Sequence, residues 1–243
     1  MATPRIFISA KLESKREITL DVDASNHLLH VLRLKVNDSL MVFDDSKGEY
    51  KAIIIAIKKD HAVIFVEDFI QCNRESPLQI HLGQGISRGE KMDFTVRKAV
   101  ELGVNTITPL FTEYCNVKLE GERLMSRLRH WQGISISAAE QSGRCYIAKI
   151  LLAQTLEDWV AKAATTGLSL ILDPCASSKL SATKEHPNFV NLLVGPEGGL
   201  SDKEVVFAKQ NKFLPTKLGP RVLRTETAAL AAISVLQAKW GDF

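Results

Sequence analysis

From residue 78 onward, short apolar runs alternate with stretches patterned for helix, and this rhythm constrains the fold more than any other feature of the chain. LQIHL (78–82), TITPLFTE (106–113), YIAKILLA (146–153), LSLILDP (168–174) and NLLVG (191–195) read as strands, with a last strand near Lys217-Leu218-Gly219. One helix follows GQGISRGE and carries Met92, Val96 and Val100 on a single stripe. A charged helix covers 121–142, another runs from about Leu156 to Ala164, a fourth starts at Asp202, and TETAALAAISVLQAKW closes the chain. Strands separated by helices of this length predict an α/β domain, a largely parallel sheet covered on both faces.

The first 70 residues follow a different pattern. EITLDV, SLMVFDD, EYKAIIIAIKKD and HAVIFVEDF are short β-branched runs separated by polar turns such as 44–48. Within them NHLLHVLRLKV (26–36) sets Leu28, Leu29, Leu32 and Val36 at helical spacing. The expectation is a small β-barrel with one short helix. QCNRESP (71–77) is polar and ends in proline, which places the boundary between a domain of residues 1–72 and one of residues 73–243.

Bulk composition excludes several classes. A chain of 243 residues with 45% hydrophobic and 24% charged residues is ordinary for a soluble globular protein. Cys72, Cys115, Cys145 and Cys175 lie far apart, with no pair at metal-ligand spacing, so neither a metal site nor a disulfide framework is expected. That usage suits the cytoplasm, whose reducing conditions keep thiols free. MATPRIFISAKLESK lacks the apolar core of a signal peptide, and no later segment is long and apolar enough for a bilayer. The net charge of +3 is carried mainly by the middle third, where residues 73–149 hold 11 Lys/Arg against 8 Asp/Glu. Such a balance permits nucleic-acid binding without requiring it.

Three constellations carry the chemistry. In LLVGPEGGLSDKE (192–204) a buried strand leads through Gly195, Gly198 and Gly199 into a helix whose Ser201-Asp-Lys-Glu204 has capping-box spacing. Ser87-Arg-Gly-Glu90 has the same spacing. Open α/β folds place ligands at such strand-to-helix turns, although a tight turn alone explains the glycines equally well. No Gly-Lys-Ser/Thr follows, and GPEGG lacks the dinucleotide spacing while Pro196 removes an N–H, so an uncharged or cationic ligand fits better than a triphosphate. In LGPRVLRTETAALAA (218–232), Arg221 and Arg224 oppose the dipole of the helix they precede, a placement that suits a bound anion. In AAEQSGR (138–144), Glu140, Gln141 and Arg144 either reach into a site or decorate a helix end.

Together with GISRGEKMDFTVRKAVELGV (85–104) and HLLHVLR (27–33), these stretches, in this order, closely resemble the RsmE family of ribosomal RNA uridine methyltransferases in the SPOUT superfamily. The resemblance implies an amino-terminal PUA-like β-barrel that binds RNA. It further implies a carboxy-terminal SPOUT-type parallel-sheet domain tied in a trefoil knot, and a homodimer. The implied cofactor is S-adenosylmethionine, and the implied reaction is methylation at N3 of one uridine in small-subunit ribosomal RNA. Carried onto this chain, the cofactor loops are Leu172, then Gly195, Pro196, Glu197, Gly198 and Gly199, then Leu218, Gly219, Val222 and Leu223, with Thr227.

That reading gives the glycines a purpose, as bare main chain for adenine and ribose, with Leu172, Leu218 and Leu223 about the ring. Glu197, the one charge in GPEGG, has the sign that suits a cation such as the sulfonium, or a ribose hydroxyl. Arg224 is the first candidate for stabilising the uracil oxygens as the ring N–H is lost, and Glu226 is a candidate base. Arg5, Arg33, Lys35, Arg88, Arg97 and Arg144 are candidate phosphate contacts. Methyl transfer asks for no metal. The alternative is a non-catalytic RNA-binding assembly factor of the same fold.

Overall fold

The structure, a computed structural model, describes residues 3–46, 48–72, 74–163, 165–182 and 185–243. Among positions named above, Met1 and Ala2 of the opening stretch, Ala164 at a helix end, Lys47 in the 44–48 turn and Asn73 in the boundary segment lie outside the described residues. The chain divides into two compact units. One takes Met1–Glu75 with Ala139–Ile147, the other Ser76–Ala138 with Ala148–Phe243.

The first unit is built on β1 (Arg5–Phe7), β2 (Arg16–Thr19), β3 (Ser39–Phe43), β4 (Gly48–Lys58) and β5 (His61–Gln71). They form one sheet in the order β1-β3-β4-β5-β2, antiparallel except for the β1–β3 pair. Leu40, Val42, Ile54, Ile64 and Val66 turn inward from successive strands and close a core with Leu12 and Leu28. The helical stretch is shorter and earlier than its apolar spacing suggests. Helix α1 (Val22–Asn26) is capped by Asp21, whose side chain accepts the Ala24 N–H at 2.8 Å, and passes into a π-helical turn over His27–Val31. Arg33 then adopts φ 56°, which ends the helix, and Val36 is exposed instead of joining the stripe.

The second unit contains β6 (Gln79–Gly85), β7 (Thr106–Phe111), β8 (Lys149–Ile150), β9 (Gln154–Thr155), β10 (Leu168–Leu172), β11 (Phe189–Val194) and β12 (Leu214–Thr216). All pair in parallel, in the order β12-β10-β11-β6-β7-β8, with β9 also on β7. The covering helices are α2 (Glu90–Glu101), α3 (Gly121–Ser142), α4 (Leu156–Ala163), α5 (Asp202–Gln210) and α6 (Thr225–Trp240). The end of α3, from Ala139, belongs to the first unit. Leu110, Leu156, Trp159, Ile171, Leu193 and Phe213 form the core on one face of the sheet.

Four local expectations change. β6 runs on through Gly83-Gln84-Gly85, because a side chain at Gly83 would sit 2.6 Å from the Trp159 ring and one at Gly85 2.5 Å from Pro196. These glycines are therefore strand residues under close cover, not the start of a turn. The 146–153 strand shrinks to β8, with Leu151 and Leu152 exposed before β9 resumes the pairing. The last strand comes early, at Leu214–Thr216, and frees 217–224 as a loop. Ser201 and Glu204 do close a capping box on α5, at 3.3 and 2.8 Å, whereas α2 starts from Gly89 with no side-chain cap and the Ser87 hydroxyl instead donates to the Gly85 carbonyl.

Candidate active site

Three loops leave the carboxyl ends of β10, β11 and β12, adjacent strands in the sheet, and enclose one cavity of about 470 Å3. Its volume is in the range of small-molecule sites, and its place outside the carboxyl ends of parallel strands is where such folds bind ligands. From β10 come Leu172, Asp173 and Pro174. From β11 come Gly195, Pro196, Glu197, Gly198 and Gly199. From the loop after β12 come Leu218, Gly219, Val222, Leu223 and Arg224. Thus all the residues assigned above to the cofactor except Thr227 are brought together. Thr227 is exposed on α6, and Thr225, two residues earlier, lines the cavity in its place.

The glycines work differently from one another. Gly199 has φ +73°, a backbone state that a side chain would strain. A Cβ at Gly198 would lie 2.8 Å from the Cβ of Tyr114, so this glycine is small in order to let the loop approach Tyr114. At Gly219 a Cβ would meet nothing within 4 Å. Gly199 too has nothing within 4 Å of a Cβ, so both positions offer bare main chain beside open space, and Gly219 does so without a positive φ.

Two carboxylates, Asp173 and Glu197, and the cations Lys91, Lys217, Arg221 and Arg224 share the cavity wall. Asp173 Oδ1 accepts the Cys175 N–H at 2.8 Å, and Lys209 lies 3.9 Å from its Oδ2. Glu197 is not a free counter-charge: its Oε1 accepts the Arg88 N–H at 3.0 Å and lies 3.3 Å from Lys91 Nζ. Burial raises its pKa, but hydrogen bonds from its own and the Arg88 backbone N–H and from Lys91 outweigh this and hold it below the usual value. Arg224 is exposed at the N-cap of α6. Glu226, in the first turn of α6, does not line the cavity, and its Oε2 is buried with no hydrogen-bond partner. Beneath the loops Thr225 donates its hydroxyl to the Gly195 carbonyl at 2.6 Å, and the Gln84 amide donates to the Thr225 oxygen at 3.0 Å.

The six basic residues assigned to RNA separate into two groups. Arg33 and Lys35 are exposed in the first unit, and Arg88 and Arg97 in the second. Arg5 and Arg144 are instead consumed inside the first unit. Arg5 lies 2.8 Å from the buried Glu49 and donates to the carbonyls of Ala139, Glu140 and Arg144. Arg144, 3% exposed, is 2.7 Å from Glu75. Glu140 accepts the Phe7 N–H at 3.0 Å, so AAEQSGR packs the first unit instead of lining a ligand site. A charged side chain enters an interior only with partners, and these have them; neither Arg5 nor Arg144 is carried forward as a phosphate contact.

Asp173 and Gln84 were not singled out from the sequence. An acid directly after an apolar strand, as in LSLILDP, and a glutamine flanked by glycines at a strand end, as in GQG, were the available signals.

The architecture and the cavity have counterparts among known proteins. The chain matches the family model described as an RNA methyltransferase domain over residues 74–237, and that described as an RNA methyltransferase PUA domain over residues 20–67. A ribosomal RNA small subunit methyltransferase E from Buchnera aphidicola subsp. Schizaphis graminum is 40% identical, across 98% of this chain and 97% of the relative. A Legionella pneumophila chain solved in complex with the bound cofactor SAM superposes with a TM-score of 0.95 at 40% identity, covering 100% of both chains. A ribosomal RNA small subunit methyltransferase E from Neisseria gonorrhoeae, bound to S-adenosyl methionine, does so at 0.93 and 37%, again over 100% of both. The fold of two units, the loop-walled cavity and these full-length similarities place the chain in the RNA methyltransferase family, as a member of its ribosomal RNA small subunit methyltransferase E group.

Proposed function

We propose that the protein binds S-adenosylmethionine in the three-loop cavity and methylates N3 of one uridine in small-subunit ribosomal RNA. The observation that carries the reading is the convergence of Leu172, the 195–199 loop and the 218–224 loop on one cavity, in a chain that aligns end to end with two cofactor-bound relatives.

The residues present fit the cofactor. Leu172, Val194, Leu200, Leu218 and Leu223 supply apolar walls for an aromatic base, and Gly219 leaves main chain uncovered beside them. Asp173 supplies negative charge for a ligand that carries an ammonium and a sulfonium, whereas Glu197 is engaged with Arg88 and Lys91. When bound, the cofactor supplies an activated methyl group. The chain's own task lies with the acceptor: the uracil N3–H must lose its proton, which moves charge onto the ring oxygens. Arg224, exposed at the cavity rim, is placed to offset that charge as it develops. Glu226 remains the candidate for taking the proton; its partnerless oxygen is buried off the cavity wall, so that role requires the first turn of α6 to bring the carboxylate round to the acceptor. Because bases in paired RNA are stacked, the target uridine must be unstacked or flipped. Of the six cations assigned to RNA, the exposed Arg33, Lys35, Arg88 and Arg97 are those placed to hold backbone phosphates. The active species is a homodimer whose carboxy-terminal segment is knotted, working in the cytoplasm where ribosomal RNA is found.

The test is nucleoside mapping of small-subunit ribosomal RNA from cells lacking the gene, followed by restoration with the purified protein and S-adenosylmethionine. Loss and recovery of a single 3-methyluridine is expected. Unchanged modification in the deletion strain would remove the assignment.

A further inference from the structure

Gln84 is fully buried in the central strand β6, paired in register with Val194 of β11 and Pro109 of β7. A primary amide in such a place is unfavourable unless its hydrogens are used. Its Nε2 lies 3.0 Å from Thr225 Oγ1, 3.0 Å from its neighbour's carbonyl at Gly85 and 3.4 Å from the Gly195 carbonyl. The Thr225 hydroxyl in turn donates to Gly195 O at 2.6 Å. Rotating the amide by half a turn would bring its oxygen against two carbonyl oxygens, so chemistry fixes the orientation. Its Oε1 is left buried and without a partner. The amide is thus held for what its nitrogen does, at the expense of its oxygen.

What the nitrogen does is join two loops. Gly195 opens the glycine loop, and Thr225 directly follows Arg224, which lines the cavity from the other side. We infer that Gln84 is a positioning residue whose amide sets the spacing between the glycine loop and the Arg224 segment, and thereby the width of the cofactor cavity. It does not line the cavity itself and acts through Thr225 and Gly195. The inference rests on the cofactor reading above.

Calorimetric titration of the full chain with S-adenosylmethionine, without RNA, tests it. Gln84→Met keeps length and approximate volume but removes both donors, and is expected to raise Kd about tenfold, the order of one lost hydrogen bond of the stronger kind. Gln84→Glu places an acceptor where a donor is needed. Its Kd relative to the unmodified chain is expected to be raised at pH 8 and to recover as the pH falls, when a protonated carboxyl can donate again. A purely structural role would lower the unfolding midpoint without that pH profile. Thr225→Val keeps the shape and deletes the relay hydroxyl, so it carries the test if Gln84→Met fails to fold, and a several-fold rise in Kd is expected. If the unmodified chain binds and the folded variants bind equally well at every pH, the positioning role is overturned while the cofactor reading stands. If the unmodified chain does not bind, the cofactor reading falls, and this inference with it.

Discussion

The Glu197 carboxylate accepts the Arg88 N–H at 3.0 Å, so the glycine loop is tied to the residue just ahead of the N-cap of α2, the helix that begins at Glu90. Gly89, that N-cap, at φ 55°, has no side chain to cap the helix. An anion at a helix N-terminus offsets the partial positive charge there. Replacing Glu197 by Ala is expected to lower unfolding free energy by about 1 kcal/mol at pH 7, and replacing it by Gln by less, since an amide oxygen still accepts. Because the folded-state pKa is depressed, the contribution is present above the ordinary carboxylate range and lost as pH falls through the folded value. Urea unfolding of Glu197→Ala and its parent should therefore converge in acid. A gap that persists there would mean that the charge is irrelevant.

Of the glycines that line the cavity, Gly198 and Gly219 should respond oppositely to a side chain. Ala at Gly198 must displace Tyr114, whose Cβ it would approach to 2.8 Å, and is expected to weaken both the fold and cofactor binding. Val at Gly219, whose Cβ would meet nothing within 4 Å, should leave the melting temperature unchanged while it weakens binding. Thermal scans paired with calorimetry separate the two. Equal melting losses would show that open space at Gly219 was misjudged.

His81 should make the second unit acid-sensitive. Its Nε2 lies 2.7 Å from Thr108 Oγ1 and accepts from Trp159 Nε1 at 3.2 Å, and burial lowers its pKa to about 4. The unfolded chain takes up the proton near 6.5, so stability is full above that value and declines as pH falls toward 4. The expected loss is about 2–3 kcal/mol, and His81→Asn should abolish that part of the slope. Parallel slopes for variant and parent would reject the assignment.

Arg224→Ala is expected to reduce kcat about a hundredfold while leaving cofactor Kd within about threefold, as for loss of a donor that acts on developing charge. The reverse pattern would move Arg224 from the acceptor to the cofactor.

Much of this site was legible because strand-to-helix loops carry their chemistry locally. GPEGG and LGPRVLRTE announce glycine freedom and misplaced cations without reference to the rest of the chain, and Ser201-Glu204 closes within a single turn. Elements set by distant partners were not legible. β6 extends through two glycines that Trp159 and Pro196 cover, and α2 starts at Gly89 without a side-chain cap, its approach held by Glu197 through the Arg88 N–H, so Ser87-Glu90 spacing was no guide. Arg5 and Arg144 look like surface cations until Glu49 and Glu75 are folded against them. Arg33 ends a helix through a backbone angle that its side chain does not signal.

The return of Ala139–Ile147 to the first unit gives that unit a temporal dependence. Arg5 and Phe7, near the start of the chain, are satisfied by groups at Ala139, Glu140 and Arg144, which leave the ribosome only after more than half of the protein has been made. Until then the nascent amino-terminal sheet holds the Phe7 N–H unmatched and the Arg5 guanidinium matched only in part, by Glu49. Cutting the gene at the apparent linker would leave the same groups unmatched for good, so the first unit cannot be lifted out of this chain as a contiguous fragment.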